Sequence, residues 1–190
     1  ETLLAAPAVV RREVDDDLAA AWDRLADRAA AAPFARPGWL RPWAVAAGLR
    51  LEVLTAEVES QLVGVLPLVH RRGRSATPAD WHTPWVEIVA EDDTARHALT
   101  TSLAGAASTR VALDFVLADE PTATSGAVAL AAAGYRLYPR LRQESPFVPL
   151  AGTWEEYLAS LSGHRRSELR RRRRRLADAG AVSYEVHRGP

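Results

Sequence analysis

A mixed, mostly antiparallel β-sheet with helices on both faces, an α/β (α+β) architecture, is the fold this sequence predicts. Three observations predict it. Two apolar runs, "LEVLTAEV" and "QLVGVLPLVH", flank Glu59-Ser60 as the arms of a hairpin. Amphipathic helical segments precede that hairpin. Short apolar runs then alternate with helical segments after it, which requires connections across both faces of a sheet. The 190 residues, nearly half of them hydrophobic, suffice for one core or for one domain and the start of another.

Pro7 to Arg12 reads as a first strand. Val14 to Ala32 places Leu18, Trp22, Leu25 and Ala29 on one helix face, and Asp15 to Asp17 suit its positive N-terminus. In "PFARPGWLRPWAVAAGL", Pro37 opens a short helix, Trp39, Leu40 and Trp43 share a face, and Gly48 ends it. The second hairpin arm is almost continuously apolar, the mark of a central strand. Arg71 to Pro84 reads as a loop and "WVEIVA" as a strand. Asp93 or Thr94 caps a helix carrying Leu99, Leu103 and Ala107, and "VALDFVL" is a further strand. Ser125 to Ala133 is a short helix stopped by Gly134, and the prolines of "RLRQESPFVPL" suit an edge or a bend.

A second unit is expected to begin near residue 151, after a first unit of residues 1–150. "TWEE" is a capping box, Thr153 with Glu156 three residues on. Its helix runs through Leu158 and Leu161 to Gly163. An arginine-rich helix follows to Gly180, and "AVSYEV" alternates like a strand. Helix, helix, strand repeats the opening of residues 15–58, as a second copy of the fold would. Glu1 is not an initiator, so the chain reads as a piece of a longer protein. No run is long enough to span a membrane, no secretory leader is evident, and the expected compartment is the cytoplasm. With no cysteine, disulfides and thiolate chemistry are excluded. All 24 basic residues are arginine, which together with abundant alanine reflects GC-rich coding rather than function.

"PFARPGWLRPW", "LVGVLPLV", "GYRLYPRLRQESPFVPL" and "TWEEYLASLSGHRRSELRRRRRRLADAG", in that order, resemble the GNAT-type acetyltransferases of the cellulose-biosynthesis (CelD-like) group. These are similar at fold level to the Fem-type peptidoglycan aminoacyltransferases. The resemblance covers the chain from about Trp22 onward. It implies a tandem-GNAT protein whose first module is degenerate and whose second carries the acetyl-CoA or other acyl-CoA site. In a working module the pyrophosphate lies on a glycine-containing loop between the fourth strand and the next helix, where backbone N–H groups and the helix N-terminus meet it. Here that place reads "VAEDDTARHAL", with no glycine and with Glu91, Asp92 and Asp93 where the diphosphate would sit. Like charges so close repel, so no cofactor binding is expected in residues 1–150. The near match at Gln61 and Gly64 lies inside the hairpin strand.

Eight arginines fall between Ser162 and Gly180, and residues 164–175 carry +7 in a chain of net charge zero. With Leu169 and Leu176 as its only apolar stripe, this helix is largely solvated. Six arginine pairs at i,i+3 or i,i+4 cost about 0.2–0.5 kcal/mol each before screening. Arg165, Arg166, Arg170, Arg173 and Arg174 are the candidate anion-binding residues. The anion is the chain's own acid, at Asp15–Asp17, Glu91–Asp93 or Asp119–Glu120, or a ligand of the second module, or nucleic acid. A near-neutral pI and the absence of any reader motif disfavour nucleic acid.

The five histidines have no ligand spacing, so no metal site is expected. "ADWHTPW" is the segment densest in functional groups. Asp80, His82 and Trp85, with Trp39 and Trp43 from the earlier helix, are the candidate substrate-binding residues of an acceptor cleft, with Thr83 beside them; the favoured reading is that Trp39, Trp43, Trp81 and Trp85 are core and His82 caps a turn. No catalytic base is nominated. The expected whole is an acyl-CoA-dependent N- or O-acyltransferase acting on a small-molecule or glycan-type acceptor, this module shaping the cleft for a second GNAT-like module of the same chain. The alternative is a non-enzymatic module whose arginine helix grips RNA or an acidic protein.

Overall fold

The computed structural model describes residues 6–106, 110–141, 144, 146 and 152–185. The chain divides into two compact units, Glu1–Arg142 and Gln143–Pro190.

In the first unit, β1 (Ala8–Glu13) is an edge strand, antiparallel to β2 (Leu51–Val58). Between them, α1 (Asp16–Arg28) starts where the Leu18 N–H donates to Asp15 Oδ1 at 2.7 Å, and it buries Leu18, Ala19, Trp22, Leu25 and Ala26. A 3₁₀ turn (Pro33–Ala35) leads into α2 (Pro37–Ala46). That helix ends in a Schellman arrangement: Leu49 N–H donates to Ala44 O, Gly48 N–H to Val45 O, and Gly48 takes a φ of 64° that its lack of a Cβ permits.

The hairpin of β2 and β3 (Gln61–Arg71) forms the centre of the sheet, its turn placing Glu59 and Ser60 at φ 49° and 66°. Both angles belong to a type I′ turn, whose twist matches that of the flanking strands. Alternate residues serve opposite faces. Val53, Val65 and Val69 join α1 and α2 in one core, with Trp22, Leu25 and Leu40 fully buried. Leu54, Ala56, Leu66 and Leu68 join Ala95, Leu99 and Leu103 of α3 (Asp93–Ala106) in the other. Then α4 (Pro121–Ala132) packs beside α3. The result is the mixed, mostly antiparallel sheet with helices on both faces that the sequence predicts, an arrangement compatible with the GNAT fold.

The far edge of β3 is divided, and this division positions the candidate site. Its last residues pair with β4 (Arg74–Ala76), and Gly64 and Val65 pair with β5 (Val89–Ala90). Parallel to β4 lies β6 (Val111–Ala112). Residues 77–88 leave the sheet between β4 and β5.

Several expectations are corrected. β4 falls inside the expected loop. Of "WVEIVA" only the last two residues are strand, because the Val86 N–H goes to Phe115 O (2.8 Å) and the Ile88 N–H to the Thr122 hydroxyl (2.9 Å), outside any ladder. Of "VALDFVL" only two residues pair, because Phe115 turns into the left-handed region at φ 54°. α4 starts four residues earlier than expected, with Pro121 in its first turn. Of the expected extended segment 140–150, residues 142, 143, 145 and 147–150 lie outside the described residues, and the described remainder forms no strand, as is true of 181–185.

In the second unit, α5 (Trp154–Ser160) opens with the expected capping box. The Glu156 N–H donates to the Thr153 hydroxyl at 3.2 Å, and the Thr153 N–H and hydroxyl donate to Glu156 Oε2 at 2.7 and 3.2 Å, the latter two holding the Glu156 carboxyl below its ordinary range. α6 (Gly163–Ala179) follows, N-capped by Ser162. Neither helix buries a residue. No helix among the described residues is long and apolar enough to cross a membrane.

Candidate functional site

The divergent loop 77–88 and the Pro33–Trp43 connection do meet. The Trp39 indole N–H donates to the Thr83 hydroxyl at 3.1 Å, and the Ala32 N–H to Glu87 Oε1 at 2.7 Å. Phe34 stands edge-on to both Trp39 and Trp85, with ring centroids 5.1 and 5.3 Å apart. The connection is tied back to α1 by Arg36, whose Nη1 donates to Asp23 (3.1 Å) and pairs with Asp27 (2.7 Å). Trp39 is partly exposed, whereas Trp43 is buried beneath the Arg71 guanidinium, 5.6 Å from the ring centroid.

Asp80 closes the start of the loop. Its Oδ1 accepts the His82 N–H at 2.8 Å, an Asx turn. Burial pushes the carboxyl up. The His82 amide, the Trp43 indole facing it, the His82 ring and the Thr83 amide together outweigh burial, so Asp80 titrates below its ordinary value. The Trp43 N–H reaches no full hydrogen-bond geometry; its contribution is that of a nearby dipole. A carboxylate whose folded pKa is depressed stabilises the fold above its unfolded value of about 3.9, and that contribution is lost as pH falls through the folded value. Asp80→Asn is therefore expected to lower the urea midpoint at pH 7 and to differ less from wild type at pH 3; a gap that widened in acid would remove the assignment.

The five predicted residues thus divide. Trp39, Trp85 and Asp80 belong to the seam between loop and connection, and Trp43 is core beneath it. His82 is exposed, its ring 3.6 Å from Asp80. Sequence reasoning named Thr83 as a pocket-lining residue but missed Phe34 and Glu87; the three hold the seam together.

At the other end of β5, protein groups fill the N-terminus of α3. Asp92 Oδ1 accepts the Ala95 N–H at 2.8 Å, Asp93 pairs with Arg96, and Glu91 Oε1 accepts from Arg28 Nε at 2.6 Å. Arg28 Nη2 also donates to Leu62 O, which moors the junction to β3. The Ala95 N–H, one of those a pyrophosphate would use, meets the Asp92 carboxylate instead, and a junction with three carboxylates and no glycine does not fit that group. No family model, curated protein or solved structure matches the chain.

On α6 the candidate arginines differ in availability. Arg166 Nη1 donates to Ala159 O and Leu161 O (3.1 and 2.6 Å), so it caps the C-terminus of α5. Arg170 Nε donates to Arg166 O. Arg172 pairs with Glu168 at 2.6 Å, a bond that holds the Glu168 carboxyl below its ordinary range, and Arg165 shares an open hollow with Tyr157, Leu161 and Leu169. Arg173 and Arg174, like Arg171 and Arg175, make no hydrogen bond or ion pair among the described residues. Two of the acidic clusters proposed as their counter-charge have partners of their own in the first unit: Asp16 with Arg41, Glu91 with Arg28, Asp93 with Arg96. Among the described residues, no three His, Asp or Glu side chains gather as a metal site.

Proposed function

We propose that the first unit is the acceptor-shaping module, without an acyl-CoA site of its own, of a tandem GNAT-type N- or O-acyltransferase acting on a small-molecule or glycan-type acceptor. The observation that carries this reading is the α3 N-terminus, capped by Asp92 and flanked by two further carboxylates within a GNAT-compatible sheet. A helix N-terminus whose Ala95 N–H is already bonded to Asp92, and whose nearby cations Arg28 and Arg96 are engaged by Glu91 and Asp93, is poorly suited to a diphosphate. The acyl donor and the chemistry then belong to a second GNAT-like module of the same reading frame. The role left to this unit is to hold the acceptor, and the aromatic seam around Trp39 and Trp85, with the Asp80 carboxylate beside it, has the apolar faces and fixed polar groups for that task.

The free arginines of α6 favour one second reading, a module that grips RNA or an acidic protein. One calorimetric series separates the two. The chain is titrated with acetyl-CoA and with single-stranded RNA at two salt concentrations. The expected result is no acetyl-CoA binding that changes when the α3 N-terminus is altered, and weak RNA binding that disappears with salt. Acetyl-CoA binding that depends on the α3 N-terminus refutes the first reading, and RNA binding that survives high salt promotes the second. In the full reading frame, Trp39→Ala is expected to raise the acceptor KM and leave the acetyl-CoA KM unchanged.

A further inference from the structure

The turn joining β3 to β4 combines two features that each work against folding. Arg72 occupies the left-handed region at φ 49°, followed by Gly73 at 74°. Glycine, asparagine and aspartate are the residues suited to the first of these positions; arginine is not. The pair closing the hairpin is Arg71 opposite Arg74, like charges set directly across a ladder. Around this tip lies an open hollow of about 540 Å³ lined by Leu49, His70, Arg71, Arg72 and Arg74.

The local acids do not neutralise it. Glu52 is shared among Arg11, Arg50 and His70, and Asp114 lies 3.5 Å from Arg74. Arg71 rests on the Trp43 ring, and neither it nor Arg72 meets a carboxylate among the described residues. At the end of α2, the carbonyls of Trp43, Ala44 and Val45 are occupied by the bonds that end the helix. Arg71 is also held in place by its cation–π contact, which lowers the entropy lost on binding.

We propose that this hollow binds a small phosphate-bearing ligand. Three guanidinium groups offer more donors than one carboxylate can accept, and they match the several oxygens of a phosphate or diphosphate. Leu49 and the remaining volume accommodate an apolar part of the same molecule. The site is separate from the α3 junction and stands whether or not the acyltransferase reading does.

The test uses inorganic pyrophosphate, titrated at low ionic strength into the full chain and into two variants. In R72G/R74Q the turn loses two cations, while glycine at position 72 relieves the backbone, so thermal stability is expected to hold or rise. Pyrophosphate affinity in this variant is expected to fall at least tenfold. In R170A/R173A/R174A, which discharges α6, the affinity of the tighter site is expected to stay within twofold. Undiminished binding in R72G/R74Q overturns the proposal, as does the absence of pyrophosphate binding to the wild-type chain.

Discussion

Replacing Trp22 with alanine is expected to destabilise the first unit by about 3–5 kcal/mol, the range for emptying a large aromatic site in a core. Trp22 is fully buried in the cluster that joins α1 to α2 and the sheet, with Leu25, Leu40, Val53 and Val65. A loss of that size approaches the whole stability of a small domain, about 5–15 kcal/mol. The indole also carries a cost of its own, since its buried N–H has no hydrogen-bond partner among the described residues. Trp22→Phe deletes that N–H, worth about 1–3 kcal/mol when unpaired, while leaving a smaller cavity than alanine does. The two terms oppose each other, so the phenylalanine variant should fall within about 1 kcal/mol of wild type. Urea denaturation of both variants decides the matter. If Trp22→Phe costs as much as Trp22→Ala, the N–H has a partner and the account of this core is wrong.

The face Trp22 occupies was legible in advance because the α1 periodicity leaves no choice: Leu18, Trp22 and Leu25 fall on one side and acids and arginines on the other. The β2–β3 hairpin was legible for a similar reason, its two apolar arms being separated by exposed Glu59 and Ser60. What escaped was decided by hydrogen bonds that no spacing encodes. "WVEIVA" has strand composition throughout, yet the donors of Val86 and Ile88 are claimed by Phe115 O and Thr122. β4 was invisible because "RRGRSA" is charged and short, and its ladder with β3 spans three residue pairs. The same blindness hid the basic turn: "RRGR" reads as loop, and only the hairpin sets Arg71 directly across from Arg74. In the candidate site, the tryptophans and Thr83 stood out by type and company, but Glu87 and the Phe34–Trp85 contact depend on partners far away in the chain.

Gly64 was conspicuous in the sequence as half of a possible cofactor motif, and its surroundings give it a different role. It pairs with Ala56 on one side and Ala90 on the other, and α3 lies over it. A Cβ built at Gly64 would stand 2.9 Å from Leu99 Cδ1, 3.3 Å from Ala56 Cβ and 3.4 Å from Ala95 Cβ. The first contact is with the end of a flexible side chain, which can swing away. The other two are with atoms fixed to the backbone. Gly64→Ala is therefore expected to be nearly neutral, since removing a strand glycine gains about 0.5–1 kcal/mol and offsets the crowding. Gly64→Val adds two methyl groups with no such offset and is expected to cost about 1–3 kcal/mol, the usual penalty for overfilling a packed core. Because Ala95 lies in the first turn of α3, whatever lifts that helix from β3 also disturbs the Asp92 cap and the Arg28–Glu91 pair. Hydrogen exchange at Ala95, Arg96 and Leu99 should then accelerate in the valine variant and not in the alanine variant. Equal stability of the two variants, with unchanged exchange in α3, would mean that the helix does not rest on this glycine.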